Sequence, residues 1–219
     1  DGIIIDADDQ VGENAAVFVL DGTMFDGADN GPITRNTVID GLTITAGEKE
    51  FDPLNPNLDT RSGGLYCKSD GSGGCSPTLR NLVVAGNRSE LSGGGMHFLD
   101  GASDGPLIKN SVFVGNEAEN LGGGGGLAIT SKEQGRARLT NVAFVNNRAS
   151  NPDGGFGGNG GALYIESGFD GHLQTTLTNV TFTGNTAADG GGAMYNAGFN
   201  QGSSTVSVTN GLLYDNQAG

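Results

Sequence analysis

This 219-residue chain predicts an all-β fold, a parallel β-solenoid of about six coils, each of ~31 residues, with long outer loops. Three observations carry that expectation. A short phrase returns six times, at residues 39–47, 79–87, 108–116, 139–147, 177–185 and 208–216. A Gly-Gly phrase falls between its copies. The composition, 41 glycines with six prolines and no helical periodicity, defeats helices, and the lack of a three-residue glycine period excludes collagen.

In the first phrase the apolar residues alternate as in a strand. Ile39, Leu79, Ile108, Leu139, Leu177 and Val208 form one inward column. Ile44, Val84, Phe113, Phe144, Phe182 and Leu213 form the next. Thr43, Val83, Val112, Ala143, Thr181 and Leu212 should face outward, as should Asp40, Arg80, Lys109, Thr140, Thr178 and Thr209. The last five copies carry paired asparagines: Asn81/Asn87, Asn110/Asn116, Asn141/Asn147, Asn179/Asn185 and Asn210/Asn216. Their steps of 29, 31, 38 and 31 residues hold the unit while its loops vary. Asn tolerates the left-handed backbone of a tight bend, and stacked amides bond from coil to coil. Both columns are therefore expected to be bend and ladder positions, not catalytic ones.

The second phrase reads Gly63-Gly64-Leu65-Tyr66-Cys67 and returns at residues 94–98, 125–129, 161–165 and 192–196. Its small residues should turn the chain where a side chain would obstruct the coil. Leu65, Met96, Leu127, Leu163 and Met194 should point inward, followed by Cys67, Phe98, Ile129 and Ile165, with Asn196 a polar exception. Each coil then has at least two strands. Between these columns Tyr66, His97, Ala128, Tyr164 and Tyr195 are expected to line up outward. Such a row of rings is a candidate glycan-binding stripe; the plainer alternative is cross-strand stacking within the sheet.

The two phrases together resemble the repeats of the polymorphic outer-membrane proteins of chlamydiae and related bacterial surface proteins. Gly160-Gly161-Ala162-Leu163 and Gly191-Gly192-Ala193-Met194 match one half of that pattern, and residues 113–116, 144–147 and 182–185, each Phe-x-x-Asn, match the other. The resemblance covers roughly residues 38–219. It implies a right-handed parallel β-helix that is exported and commonly adhesive.

One domain over 1–219 is expected, with 1–37 an irregular first coil and 38–219 the repeats. A formal net charge of −14 disfavours nucleic acid and anionic membrane as partners, and no apolar run reaches the ~20 residues of a membrane helix. Cys67 and Cys75 are a candidate disulfide closing a Gly-rich loop, which fits an oxidising compartment. Asp6, Asp8, Asp9, Asp21, Asp26 and Asp29 supply hard oxygen ligands for calcium, although no complete calcium-loop pattern is present. No other cofactor is implied. Asp40, Arg80 and Lys109 read as a salt-bridged surface row rather than a catalytic trio. The insertions at 48–61 and 148–159 are the places where binding variation is expected on a rigid scaffold.

The opening Asp1-Gly2-Ile3 reads as a mature or trimmed terminus, and neither end shows an amphipathic cap. The expected function is a non-enzymatic extracellular or cell-surface β-helix with an adhesive or structural role, facing a glycan or host surface. One alternative is a filament subunit self-associating end to end. The other is a polysaccharide-binding or lyase-like β-helix.

Overall fold

The computed structural model describes residues 3–6, 18–21, 33–49, 62–69, 74–100, 104–119, 122–154 and 157–219. Among them every strand pairing is parallel, no helix occurs, and the strands fall into three sheets. The arrangement is consistent with a β-helix or solenoid. A long sheet runs through Ile3–Asp6, Leu42–Thr45, Val83–Ala85, Leu107–Val114, Gln134–Val145, His172–Thr183 and Ser203–Thr209. A glycine-flanked sheet runs through Phe18–Asp21, Leu65–Lys68, Met96–Asp100, Leu127–Ser131, Leu163–Gly168 and Met194–Phe199. A short sheet is built from Glu48–Lys49, Arg88–Ser89, Glu117–Glu119, Arg148–Ser150, Thr186–Ala187 and Gln217–Ala218. From residue 38 the chain visits long, short and glycine-flanked sheets in that order and then repeats.

Register follows the sequence columns. Ile108 lies beside Leu79 and Leu139, and Phe113 beside Val84 and Phe144. Phe113, Phe144 and Phe182 stack face to face at centroid spacings of 4.9 and 5.1 Å. Each such ring withdraws enough apolar surface to contribute about 2–3 kcal/mol. Within residues 1–37, Ile3–Asp6 pairs in register with Leu42–Thr45 and Phe18–Asp21 with Leu65–Lys68. At the other end Val208 and Leu213, members of the same inward columns, are 45% and 59% exposed. Cys67 and Cys75 are disulfide-bonded and buried, with Cα atoms 5.9 Å apart.

The two asparagine columns do different jobs. Asn81, Asn110, Asn141, Asn179 and Asn210 all have φ between 49° and 56°, so each is a left-handed bend within the long sheet. Their exposed amides donate backward, Asn141 Nδ2 to Asn110 Oδ1 and Asn179 Nδ2 to Asn141 Oδ1, each at 3.0 Å. The second column, Asn87, Asn116, Asn147, Asn185 and Asn216, was expected to bend as well, and it does not. There the left-handed residue is the one before it: Gly86, Gly115, Asn146, Gly184 or Asp215. Taking the bend one residue early leaves each asparagine free to turn its side chain into the ladder.

Asn87, Asn116, Asn147 and Asn185 are buried and donate forward, as in Asn116 Nδ2 to Asn147 Oδ1 at 2.9 Å. The same Oδ1 also accepts the Asn116 backbone N–H at 3.1 Å. Asn147 Nδ2 in turn reaches the Phe113 carbonyl at 2.9 Å. Asn216 departs from its column in two respects: it is only half-buried, and it makes no forward bond. Its Oδ1 still accepts from Asn185 Nδ2 at 2.8 Å and from the Asn185 N–H at 3.1 Å. Asn216 Nδ2 donates to the Phe182 carbonyl at 2.9 Å, as its column mates do to theirs, and to the Tyr214 carbonyl at 3.1 Å. Among the described residues it accepts within the ladder and does not relay.

The Gly-Gly corner packs on this ladder. A Cβ at Gly125 would sit 2.2 Å from the Arg148 carbonyl oxygen and 2.4 Å from that of Gly161. Gly94, Gly161 and Gly192 meet the short-sheet backbone at Glu117, Thr186 and Gln217 in the same way. At Gly126 the added atom would lie 3.2 Å from the Asn147 side chain. The expectation that small residues keep this corner clear is met.

The packing sets the cost of substitutions at this corner. Asn147→Ala strands the Asn116 N–H groups and the Phe113 carbonyl in the interior, and should cost at least about 3 kcal/mol. Asn141→Gly on the exposed bend should be near neutral. Urea denaturation that ranks these two equally would contradict the division of roles. Gly125→Ala should lower stability by more than about 2 kcal/mol, and by more than Gly126→Ala, because only backbone movement relieves its contacts.

Candidate functional site: the outer face of the short sheet

The aromatic row exists in register, with Tyr66, His97, Ala128, Tyr164 and Tyr195 side by side on neighbouring strands. It is not an open stripe. Tyr66, His97 and Ala128 are completely buried, and Tyr164 and Tyr195 are half-buried. Glycine-rich segments fold over the row: a Cβ at Gly123 would lie 2.7 Å from the Tyr164 ring, and one at Gly190 3.3 Å from Tyr195. Tyr164 and Tyr195 also stack on each other, 5.6 Å apart and within 3° of parallel, so each covers a face of the other. His97 Nε2 lies 2.9 Å from Thr130 Oγ1. The Tyr164 hydroxyl donates to Glu166, and burial, then this bond, pushes its pKa up. The outward, sugar-stacking arrangement is thus corrected in favour of the cross-strand stack.

Of the calcium candidates, Asp8, Asp9, Asp26 and Asp29 lie outside the described residues, as do the side chains of Asp6 and Asp21. Among the described residues no group of three or more His, Cys, Asp or Glu side chains is placed to hold a metal. Asp40 and Arg80 form the expected surface pair at 2.8 Å, and Asn81 Nδ2 donates to the other Asp40 oxygen at 2.7 Å. His172 Nδ1 lies 2.6 Å from Ser203 Oγ, a spacing that suits a base beside a nucleophile. The neighbouring N–H groups of Ser203 and Gly202 are already bonded to the Gly171 and Phe199 carbonyls, so neither is directed at a reacting oxygen.

Beyond the expected charged neighbours Asp40, Arg80 and Lys109, the structure holds a second charged row that was not expected from the sequence. It stands on the short sheet: Glu48, which follows Gly47, then Arg88, Glu117, Arg148, Thr186 and Gln217, each one residue after a second-column asparagine. Over the first four coils its charge alternates in sign, a signal visible in the sequence once the position after the second Asn is tabulated. Arg88 binds Glu119 with two hydrogen bonds of 3.0 and 2.7 Å and also pairs with Glu48. The Glu119 bond, ahead of the pairing with Glu48, raises the Arg88 pKa. Glu117 pairs with Arg148 Nε at 3.6 Å and accepts from Ser150 Oγ at 3.0 Å. In the next column Ser89, Ala118, Ala149 and Ala187 are buried, while Ala218 at its end is exposed.

Above the middle of this row is a groove of about 620 Å³, lined by Glu117, Glu119, Arg148, Ser150, Asn151, Pro152, Thr186 and Ala188 among others. Asn151 and Pro152 belong to the insertion at 148–159, where binding variation was expected. The floor backbone is already bonded, Arg148 N–H to Asn116, Thr186 N–H to Asn147 and Ala188 N–H to Ala149 carbonyls. Ligand contact is therefore left to side chains.

These features define a protein of parallel sheets with an alternating charged row and a groove on the outer face of the short one. Over 120 residues, 52% of this chain, it is 35% identical to the "Probable autotransporter YfaL" of Escherichia coli (strain K12). The chain spans about 9% of the length of that curated relative. No protein-family profile and no solved structure matches the chain.

The Asp40 carboxyl is held below its ordinary pKa of 3.8, first by the Asn81 hydrogen bond, against desolvation, and further by Arg80. Its stabilising contribution is then complete above 3.8 and lost as the pH falls through the lower folded value. An NMR titration of Asp40 should show a midpoint below 3.8, raised in Asn81→Ala; a midpoint at or above 3.8 in the intact protein would refute this. Arg88→Met leaves Glu119, only 16% exposed, without its guanidinium, and should cost about 2 kcal/mol in urea denaturation.

Proposed function

We propose that the chain is a stretch of an exported, non-enzymatic surface scaffold. In this reading it is a right-handed parallel β-helix of about six coils from the passenger region of an autotransporter-like protein, with an adhesive or structural role outside the cell. The observation that carries the reading is the 35% identity over 120 residues to an autotransporter, falling on a chain built of parallel sheets. The Cys67–Cys75 disulfide supports it, since such bonds persist in oxidising compartments. The parallel crossovers support the right-handed sense, the rule for such connections.

A filament built end to end is the second reading. It draws on the exposed Leu212, Leu213 and Tyr214, 58%, 59% and 70% accessible, which would seat another coil. A further coil of the same chain would cover these side chains equally well, so the scaffold reading stands first.

The test is display. Fused to the translocating barrel of an autotransporter, the chain should reach the outer surface of intact bacteria, yield to added protease, and increase retention of those cells on host-cell or glycan-coated surfaces. Periplasmic retention, or surface display with no gain in retention over cells carrying the barrel alone, would count against the reading.

A further inference from the structure

We propose that the groove over the short sheet is a binding site for a neutral oligosaccharide, a proposal that rests on the surface-scaffold reading and gives it a ligand class. The argument begins with charge. The carboxylates at the groove are matched: Glu119 is held by Arg88 through two bonds, and Glu117 by Arg148 and Ser150. A cation therefore gains little there, and an anionic polymer approaching a chain of formal charge −14 is repelled. A ligand rich in hydroxyls but uncharged fits both facts.

The lining has the matching chemistry. Asn151 and Thr186 line the groove with neutral polar side chains, and Ser150 Oγ, which donates to Glu117, keeps acceptor capacity, while Arg148, with its side chain 63% exposed, adds a guanidinium at the rim. Pro152 and Ala188 supply a small apolar ledge for the C–H face of a sugar ring. An extended peptide is a poorer fit, because strand addition needs unpaired backbone groups and the floor has its N–H groups bonded between coils. A lipid tail is poorer still, for the largest apolar side chain in the lining is proline. The volume of about 620 Å³ falls within the range of small-ligand sites.

The test titrates the purified chain with neutral tri- to hexasaccharides of the β1,4-glucose, β1,4-N-acetylglucosamine and α1,4-glucose series, followed by amide NMR. At least one series should shift signals from residues 117–119, 148–152 and 186–188 in a saturable manner. Thr186→Trp, which fills the floor, should weaken that binding about tenfold or more. Thr140→Trp on the long sheet should leave it unchanged. Arg148→Ala, a change at an exposed rim, should weaken it severalfold and carries the test if a melting curve shows Thr186→Trp to be misfolded. The proposal is overturned if no series binds below roughly 10 mM. It is also overturned if the shifts map elsewhere, if groove variants bind as the parent does, or if a uronate oligomer or an extended peptide binds there in preference. Displaying cells that adhere while no sugar shifts the groove would sink this site and leave the scaffold reading standing. Sugar binding in the groove by a chain that never reaches the cell surface would do the reverse.

Discussion

From Asn87 to Asn185, neighbouring coils are held in step by buried amides, each of which must find its partners in two coils at once. Asn147 shows the requirement: its oxygen accepts two N–H groups from Asn116, and its nitrogen bonds the Phe113 carbonyl behind and Asn185 Oδ1 ahead. A slip of one residue would leave all four bonds unmade in the interior, at about 1–3 kcal/mol for each stranded group. Apolar columns alone would tolerate such slips better, since one aliphatic side chain replaces another with modest loss. The ladder therefore supplies register, and the stacked phenylalanines supply most of the burial.

The rest of the architecture is arranged around that corner. Because Gly64, Gly95 and Gly126 lie against the ladder amides, the glycine-flanked strand enters close to the short sheet, whose buried column there is Ser89, Ala118, Ala149 and Ala187. The short sheet turns its longer side chains outward, where they pair in alternating charge and floor the groove. The exposed ladder of the long sheet runs in the opposite sense, donating backward where the buried one donates forward. The groove beside this corner has Asn151 and Pro152 of the inserted segment in its lining.

Much of this was legible in the sequence, and the failures have physical causes. The columns of the long and glycine-flanked sheets were readable because large apolar side chains alternate there with a period of two. The short sheet was not, since its strands are two or three residues long and its inward residues are too small to register as hydrophobic. The second asparagine column, from Asn87 to Asn216, was read correctly as a ladder and wrongly as a bend, because the glycine, Asn146 or Asp215 before it tolerates the left-handed backbone equally well. The aromatic row was read to the correct register and the wrong exposure: alternation tells which side of a strand a residue takes, not whether a loop later covers it. The groove was legible only as an insertion, because the pairing of Glu117 with Arg148 and of Arg88 with Glu119 joins residues 31 apart.

The central claim is that side-chain amides, not only the strand ladder, hold the coils together. Native-state hydrogen exchange addresses it directly, because the backbone N–H groups of Asn87, Asn116 and Asn147 have side-chain oxygens as their acceptors. These amides should exchange in the slowest class, together with those of the Phe113 and Phe144 strands. Exchange of Asn116 and Asn147 at the rate of exposed turns, while the neighbouring strands stay protected, would contradict the account.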